Sequence, residues 1–274
     1  MQVVRLSGLD DPCFLDRGLY RDIADHKRLR SSGLFVAEGR LVVQRLIVER
    51  FSIRSLLLND AALRALESDC ASLDDHVVAY ICDTAAFEGL TGYDIHRGCL
   101  ALAPRPAPRS ILDVSVDARS LILLEEVANA DNVGGIFRNA AAFGADGVIL
   151  SHGCADPLYR KTIRTSMAAA LLVPFAVAED DEAWREALVL LRACGFRTVA
   201  LTPTSEAADL EACASSVRSG RLALLVGAEG RGLTASSQAA ADVCVRIPIR
   251  ENVDSLNVAV ATGIALYRLL GPAG

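Results

Sequence analysis

Short unbroken apolar runs alternate with stretches of helical periodicity along most of the chain. In the first hundred residues the runs fall at 34–36, 53–58, 77–82 and 99–103. Helical patterns such as Leu41-Val42-Arg45-Leu46-Val48 separate them, which predicts a small α/β domain over residues 1–103. From residue 111 onward the runs recur at 121–124, 147–150, 196–201, 222–226 and 243–247. Parallel strands covered on both faces read as continuous apolar runs, so residues 111–274 are expected to form a doubly covered parallel sheet. Between two of these runs, Trp184, Leu188 and Leu191 recur at i, i+4 and i+7 and mark one apolar stripe of a helix over 182–194. Three prolines within residues 104–110 break both helix and central strand and read as a linker.

Composition narrows the classes. The 274 residues are 52% hydrophobic and 23% charged, too apolar for disorder. No apolar run reaches the roughly 18 residues of a bilayer-spanning helix, and the longest candidate, 165–178, is broken by Ser166 and Pro174. Asp10 and Asp11 stand where a signal peptide would need its apolar region, so a cytoplasmic location is expected. The eight cysteines include no C-x-x-C pair, which disfavours structural zinc and a disulfide framework. No metal site is expected.

A net charge of −6 excludes a globally basic nucleic-acid coat. The basic residues are unevenly spread: residues 1–54 hold ten Lys or Arg against seven Asp or Glu, and residues 95–112 carry Arg97, Arg105 and Arg109 with no acid. These are the expected phosphate-facing stretches.

Three loops that succeed apolar runs carry candidate chemistry. After 121–124 comes Asn129-Ala130-Asp131-Asn132-Val133-Gly134-Gly135-Ile136-Phe137-Arg138. Its Asn and Asp oxygens suit a helix N-terminus, and Arg138, six residues after Asn132, lies about one and two-thirds turns along that helix. Taken alone, Arg138 is equally well a solvated helix arginine. After 222–226 comes Gly227-Ala228-Glu229-Gly230-Arg231-Gly232-Leu233-Thr234. The glycine spacing approaches a phosphate-binding P-loop, but Leu233 replaces the lysine and Glu229 would repel phosphates, so that reading is rejected. A glycine-rich turn at the carboxyl end of a parallel strand remains, the usual place for a ligand in such sheets.

The third loop leads from Ile247-Pro248-Ile249 into Ser255-Leu256-Asn257. A helix is expected after it, capped by Asp254 or Ser255, with Leu256, Val260, Ile264, Tyr267 and Leu270 as its apolar face. Asn257, in the first turn, reads as either a structural bridge or part of a site.

The ordered set N-x-G-x-x-x-R, G-x-E-G-x-G and S-L-N-V-x-x-A resembles the SpoU/TrmH-type RNA 2′-O-ribose methyltransferases of the SPOUT superfamily. Upstream, Phe35-Val36-Ala37-Glu38-Gly39 resembles the F-x-x-E-G segment of that family's L30e-like substrate-binding domain, and His96-Arg97-Gly98-Cys99-Leu100-Ala101 resembles its last strand. The resemblance implies an L30e-like RNA-binding domain at 1–103 and a SPOUT domain with a C-terminal trefoil knot at 111–274. It further implies S-adenosylmethionine as cofactor, ribosomal or transfer RNA as substrate, and a homodimer, with neither DNA nor membrane as partner. Carried over residue by residue, Asn132, Arg138, Glu229, Ser255 and Asn257 would serve catalysis. Leu201, Thr202, Gly227, Gly230, Ile247, Ile249 and Leu256 would hold the cofactor. Two positions depart from the family's pattern: Glu251 and Ala168 stand where glycine is common.

The alternative function is a non-catalytic RNA-binding protein that keeps the fold, against which the intact Asn132, Arg138, Glu229 and Asn257 argue. A nicotinamide-dependent enzyme ranks last, because no G-x-G-x-x-G comes after the first strand beyond the linker.

Overall fold

The computed structural model describes residues 1–8, 10–21, 23, 26–83, 87, 98–217, 220–250, 252–253 and 255–271. They divide into two units, one of Met1–Ala107 with Leu158–Ala168, the other of Pro108–Pro157 with Ala169–Gly274.

In the first unit, strands β1 (Gln2–Arg5), β2 (Leu34–Glu38), β3 (Ser55–Leu58), β4 (Val78–Ile81) and β5 (Cys99–Pro104) form one sheet in the order β1-β4-β3-β5-β2. The β1, β4 and β3 strands run parallel, while β5 pairs antiparallel with both β3 and β2. The four expected apolar runs form β2 to β5. The sequence pattern missed β1 because it is an edge strand with mostly exposed side chains, which need no apolar code. Helix Arg40–Val48 forms as its periodicity requires, but it buries Val42, Val43, Leu46 and Ile47 and leaves Leu41 and Val48 exposed.

Glu38, of the F-x-x-E-G segment, is only 3% exposed at the end of β2. Its carboxylate accepts hydrogen bonds from Arg160 and Arg164 of the short helix Arg160–Thr165, which belongs to this unit. A buried carboxylate needs such pairing. Ala168 ends that segment, buried and with φ of 69°. The left-handed conformation strains an L residue with a Cβ, which is the physical reason a glycine suits this position. His96, Arg97 and Glu251 lie outside the described residues.

The second unit is built on β6 (Ser120–Glu125), β7 (Gly147–Leu150), β8 (Phe175–Val177), β9 (Phe196–Leu201), β10 (Ala208–Asp209), β11 (Arg221–Gly227) and β12 (Val243–Arg246). They form one seven-stranded sheet in the order β10-β12-β9-β11-β6-β7-β8, parallel at every pairing. This is the expected parallel α/β fold. Side-chain alternation divides the strands between two cores: Ile122, Leu124, Leu224 and Val226 face one, Leu121, Leu123, Ala223 and Leu225 the other. The β8 and β10 strands, three and two residues long, went unread because they lie at the sheet's edges and are too short to show a period.

Three helices flank the loops that carry candidate chemistry or support them: α1 (Ala130–Phe143), α2 (Asp181–Ala193) and α3 (Val258–Leu270). In α2, Asp180 caps the first turn and Trp184, Leu188 and Leu191 are buried as their spacing demands. The α1 and α3 helices pack tightly. A Cβ added at Gly135 would sit 2.9 Å from Ala259 Cβ, and Asn139 Nδ2 donates to the Ala259 carbonyl at 2.7 Å.

The face expected for α3 is corrected. Val258, Thr262, Ala265, Leu266 and Leu269 are buried, whereas Val260, Ile264 and Tyr267 are 53%, 38% and 52% exposed. The helix is apolar nearly all round, so periodicity offered two stripes and only packing against α1 chooses between them. Among the described residues no helix is long and apolar enough to cross a membrane.

Candidate active site

The order β12-β9-β11-β6 brings the carboxyl ends of four parallel strands side by side. Register levels them: Val245 of β12 pairs Leu201 of β9, and Gly227 of β11 pairs Glu125 of β6. Each of the three loops picked out in the sequence leaves this edge. The carboxyl edge they share is where open parallel sheets bind ligands.

Asn257 joins the loops. It is the N-cap of α3, in place of the expected Asp254 or Ser255; Asp254 lies outside the described residues. Its Oδ1 accepts from the backbone N–H groups of Ala259 and Val260 at 3.0 and 3.2 Å. Those two obligatory donors fix which way the amide points. Its Nδ2 therefore donates, to Asn132 Oδ1 at 2.8 Å and to Glu229 Oε1 at 3.0 Å. Asn132 must in turn present oxygen to Asn257, and its own Nδ2 is left buried with no hydrogen-bond partner among the described residues. A buried unpaired amide donor is costly, by about 1–3 kcal/mol, unless a ligand supplies an acceptor.

Glu229 rides on the glycine-rich turn. Ala228 and Gly232 close the turn through an isolated bridge, and a Cβ at Gly227 would fall 2.3 Å from the Gly232 carbonyl carbon. Glycine at 227 is thus demanded by the turn's own backbone. The exit is held by a residue the sequence pattern did not single out. Glu125, 4% exposed at the end of β6, accepts from the Thr234 N–H and hydroxyl at 2.8 and 2.9 Å, from Ser237 Oγ, and from Trp184 Nε1 at 3.1 Å. Its only sequence signal was an acid closing an otherwise apolar strand.

The remaining candidates line the same edge or the loops beyond it. Leu201 ends β9, and Thr202, buried, donates its N–H to the Val245 carbonyl. Gly230 has φ of 83° in the turn, Ile247 and Leu256 are half-buried, and Ile249 is exposed. Arg138 and Ser255 are both exposed and make no hydrogen bond to Asn132, Glu229 or Asn257. The structure thus joins three of the five expected catalytic residues and leaves Arg138 reaching outward. Cys154 donates to the Leu124 carbonyl, and burial pushes its thiol up to about 11, away from the reactive thiolate.

Residues 119–267, more than half of the chain, match the SpoU rRNA methylase family. The chain belongs to that family. It is 42% identical over 262 residues to an uncharacterized tRNA/rRNA methyltransferase of Mycobacterium tuberculosis, covering 94% of this chain and 88% of the relative. It is 25% identical over 252 residues to the 23S rRNA (guanosine(2553)-2′-O)-methyltransferase RlmP of Bacillus subtilis, covering 92% and 94%. The crystal structure of an AdoMet-bound rRNA methyltransferase from Sinorhizobium meliloti superposes with a TM-score of 0.80 at 25% identity, over 98% of each chain. Family membership and the likeness of fold make this chain a SPOUT-type methyltransferase.

Proposed function

We propose that the protein moves a methyl group from S-adenosylmethionine to a ribose 2′-hydroxyl of ribosomal or transfer RNA, as a cytoplasmic homodimer. The observation that carries this reading is the Asn257 amide bonded to both Asn132 and Glu229 at the carboxyl edge of the parallel sheet. The 2′-O specificity in the name of the Bacillus relative and the AdoMet in the Sinorhizobium structure support it.

The residues at this edge suit the cofactor. Backbone groups around Leu201, Thr202, Gly227, Gly230, Ile247, Ile249 and Leu256 would hold it, and the Glu229 carboxylate suits a cationic group. When bound, S-adenosylmethionine supplies an electrophilic methyl on a sulfonium. The orphaned Asn132 Nδ2 is a donor awaiting a ligand oxygen. A ribose hydroxyl is a weak nucleophile at neutral pH, so its oxygen needs nearby positive charge and alignment. Arg138 supplies the charge. A guanidinium stays protonated in proteins, so Arg138 clamps the adjoining phosphate and polarises the hydroxyl, leaving proton removal to phosphate or water. Ser255 would orient the ribose from the loop ahead of α3.

The first unit would select the RNA, in keeping with its resemblance to an L30e-like domain. The trefoil knot belongs to the same reading: the chain leaves β12, beyond β9, yet returns to pack α3 on α1. The exposed stripe Val260, Ile264 and Tyr267 supports dimerisation, since a contiguous apolar helix face calls for a cover.

The test incubates the protein with methyl-tritiated S-adenosylmethionine and total RNA, then digests the RNA with alkali. A 2′-O-methyl blocks alkaline cleavage, so label is expected in alkali-resistant dinucleotides. Label in mononucleotides, or none in RNA, would overturn the proposal.

A further inference from the structure

We infer that Glu125 is a positioning residue for the cofactor site, acting through the glycine-rich turn; this rests on the function proposed above. It lies outside the set that the three motifs pick out.

Two of the four donors on its carboxylate, Thr234 N–H and Trp184 Nε1–H, cannot reverse their roles, and they address different oxygens, Oε2 and Oε1. The hydroxyls of Thr234 and Ser237 share Oε1. A carboxylate meets all four, whereas an amide would turn an N–H₂ against one obligatory donor. The four donors tie three elements to the end of β6: Trp184 from α2, Thr234 from the end of the glycine-rich turn, and Ser237 from helix Ala235–Ala240. Thr234 is also the N-cap of that last helix, its Oγ1 accepting from Ser237 N–H.

The turn 227–234 is therefore held at both ends and at its middle. Gly227 pairs Glu125 in the sheet, Asn257 holds Glu229, and Glu125 holds Thr234. The next residue adds only an exposed contact, worth little in water. Glu126, in the left-handed region at φ 55°, donates its N–H to Ser151 Oγ, and its carboxylate pairs with Arg231 at 3.8 Å. With the exit loosened, the backbone that faces the cofactor would have to be ordered by the cofactor itself, at the expense of affinity.

The experiment compares wild type with Glu125→Gln. Calorimetry measures binding of S-adenosylmethionine, amide hydrogen exchange follows residues 227–234 in the free protein, and urea unfolding reports global stability. Expected are roughly tenfold weaker cofactor binding, a lower unfolding midpoint because a buried donor is left facing a donor, and exchange in the turn accelerated beyond that of the rest of the sheet. Equal affinity, or faster exchange spread evenly through the sheet, overturns the inference. If the wild type binds no S-adenosylmethionine, the functional reading fails, and exchange in the turn still decides whether Glu125 positions it. Should Glu125→Gln not fold, Ser237→Ala removes one donor only and carries the same test, with about a threefold loss expected. Trp184 is the sole tryptophan, and its indole N–H is bonded to both Glu125 Oε1 and Ser237 Oγ, so its emission reports a change at either acceptor.

Discussion

Among single residues, the site depends most on Asn257 having both a carbonyl and an amide. The carbonyl caps α3, and the amide joins Asn132 to Glu229. Asn257→Asp separates these two jobs. An aspartate caps a helix as well as an asparagine, so unfolding free energy should change by no more than about 1 kcal/mol. It cannot donate to Asn132 or Glu229 and it repels the latter, so methyl transfer should fall about a hundredfold or more, a loss like that of one transition-state donor. Arg138 is a separate case, since the structure leaves it exposed and unbonded to that trio. Arg138→Ala should lower turnover about a hundredfold while leaving calorimetric S-adenosylmethionine affinity near wild type. Unchanged turnover would end its proposed role as phosphate clamp. Asn132, Glu229 and Asn257 were legible as residue types at a spacing. Glu125 was not, because what distinguishes it is four donors that arrive from 59 to 112 positions away.

Between elements, two polar contacts at the opposite, amino edge of the sheet hold the scaffold. Arg221 begins β11 and donates to the carbonyls of Ala118, Cys194, Val116 and Ser115, with its guanidinium 4.2 Å from the Phe196 ring centre. Its hydrogens thus meet the ends of helix Ile111–Ser115 and of α2, where carbonyls lack intrahelical partners. Arg221→Ala should lower unfolding free energy by about 3 kcal/mol in urea titration, since several charge-assisted bonds to part-buried carbonyls are lost together. Asp242 likewise joins α2 to β9, accepting from Arg192 at 2.7 Å and from Thr198 N–H at 2.8 Å. The Arg192 bond foremost, then the Thr198 N–H, hold its carboxyl below the usual range. A lowered folded pKa adds stability above the unfolded value of about 3.9 and forfeits it as pH falls through the folded one. Asp242→Asn should therefore flatten the decline of the thermal midpoint on the acid side of about pH 4, with little change in slope near neutrality.

For the molecule as a whole, the exposed stripe of α3 is the feature that a single chain does not explain. Val260, Ile264 and Tyr267 would be covered in the proposed homodimer. Ile264→Glu places a charge on that stripe without touching the buried face of Val258, Thr262, Ala265, Leu266 and Leu269. Light scattering after size exclusion should give a dimer mass for wild type and a monomer mass for the variant, with secondary structure retained. A wild-type monomer would remove the dimer from the proposal.

Features coded between neighbours in the chain were readable from the order of residues alone. The apolar runs that became β2 to β7, β9, β11 and β12, the stripe of α2 and the three loop motifs are of this kind, since period and turn chemistry act locally. Packing in three dimensions settled the rest: which stripe of α3 is buried, that the Asn257 amide meets Asn132 and Glu229, and that Glu125 pins the glycine-rich turn. Each of these depends on groups far apart in the chain: a helix apolar nearly all round has no preferred stripe until α1 packs on it, and the Asn257 amide, turned by its own cap donors, has nothing to join until distant loops bring Asn132 and Glu229 to it.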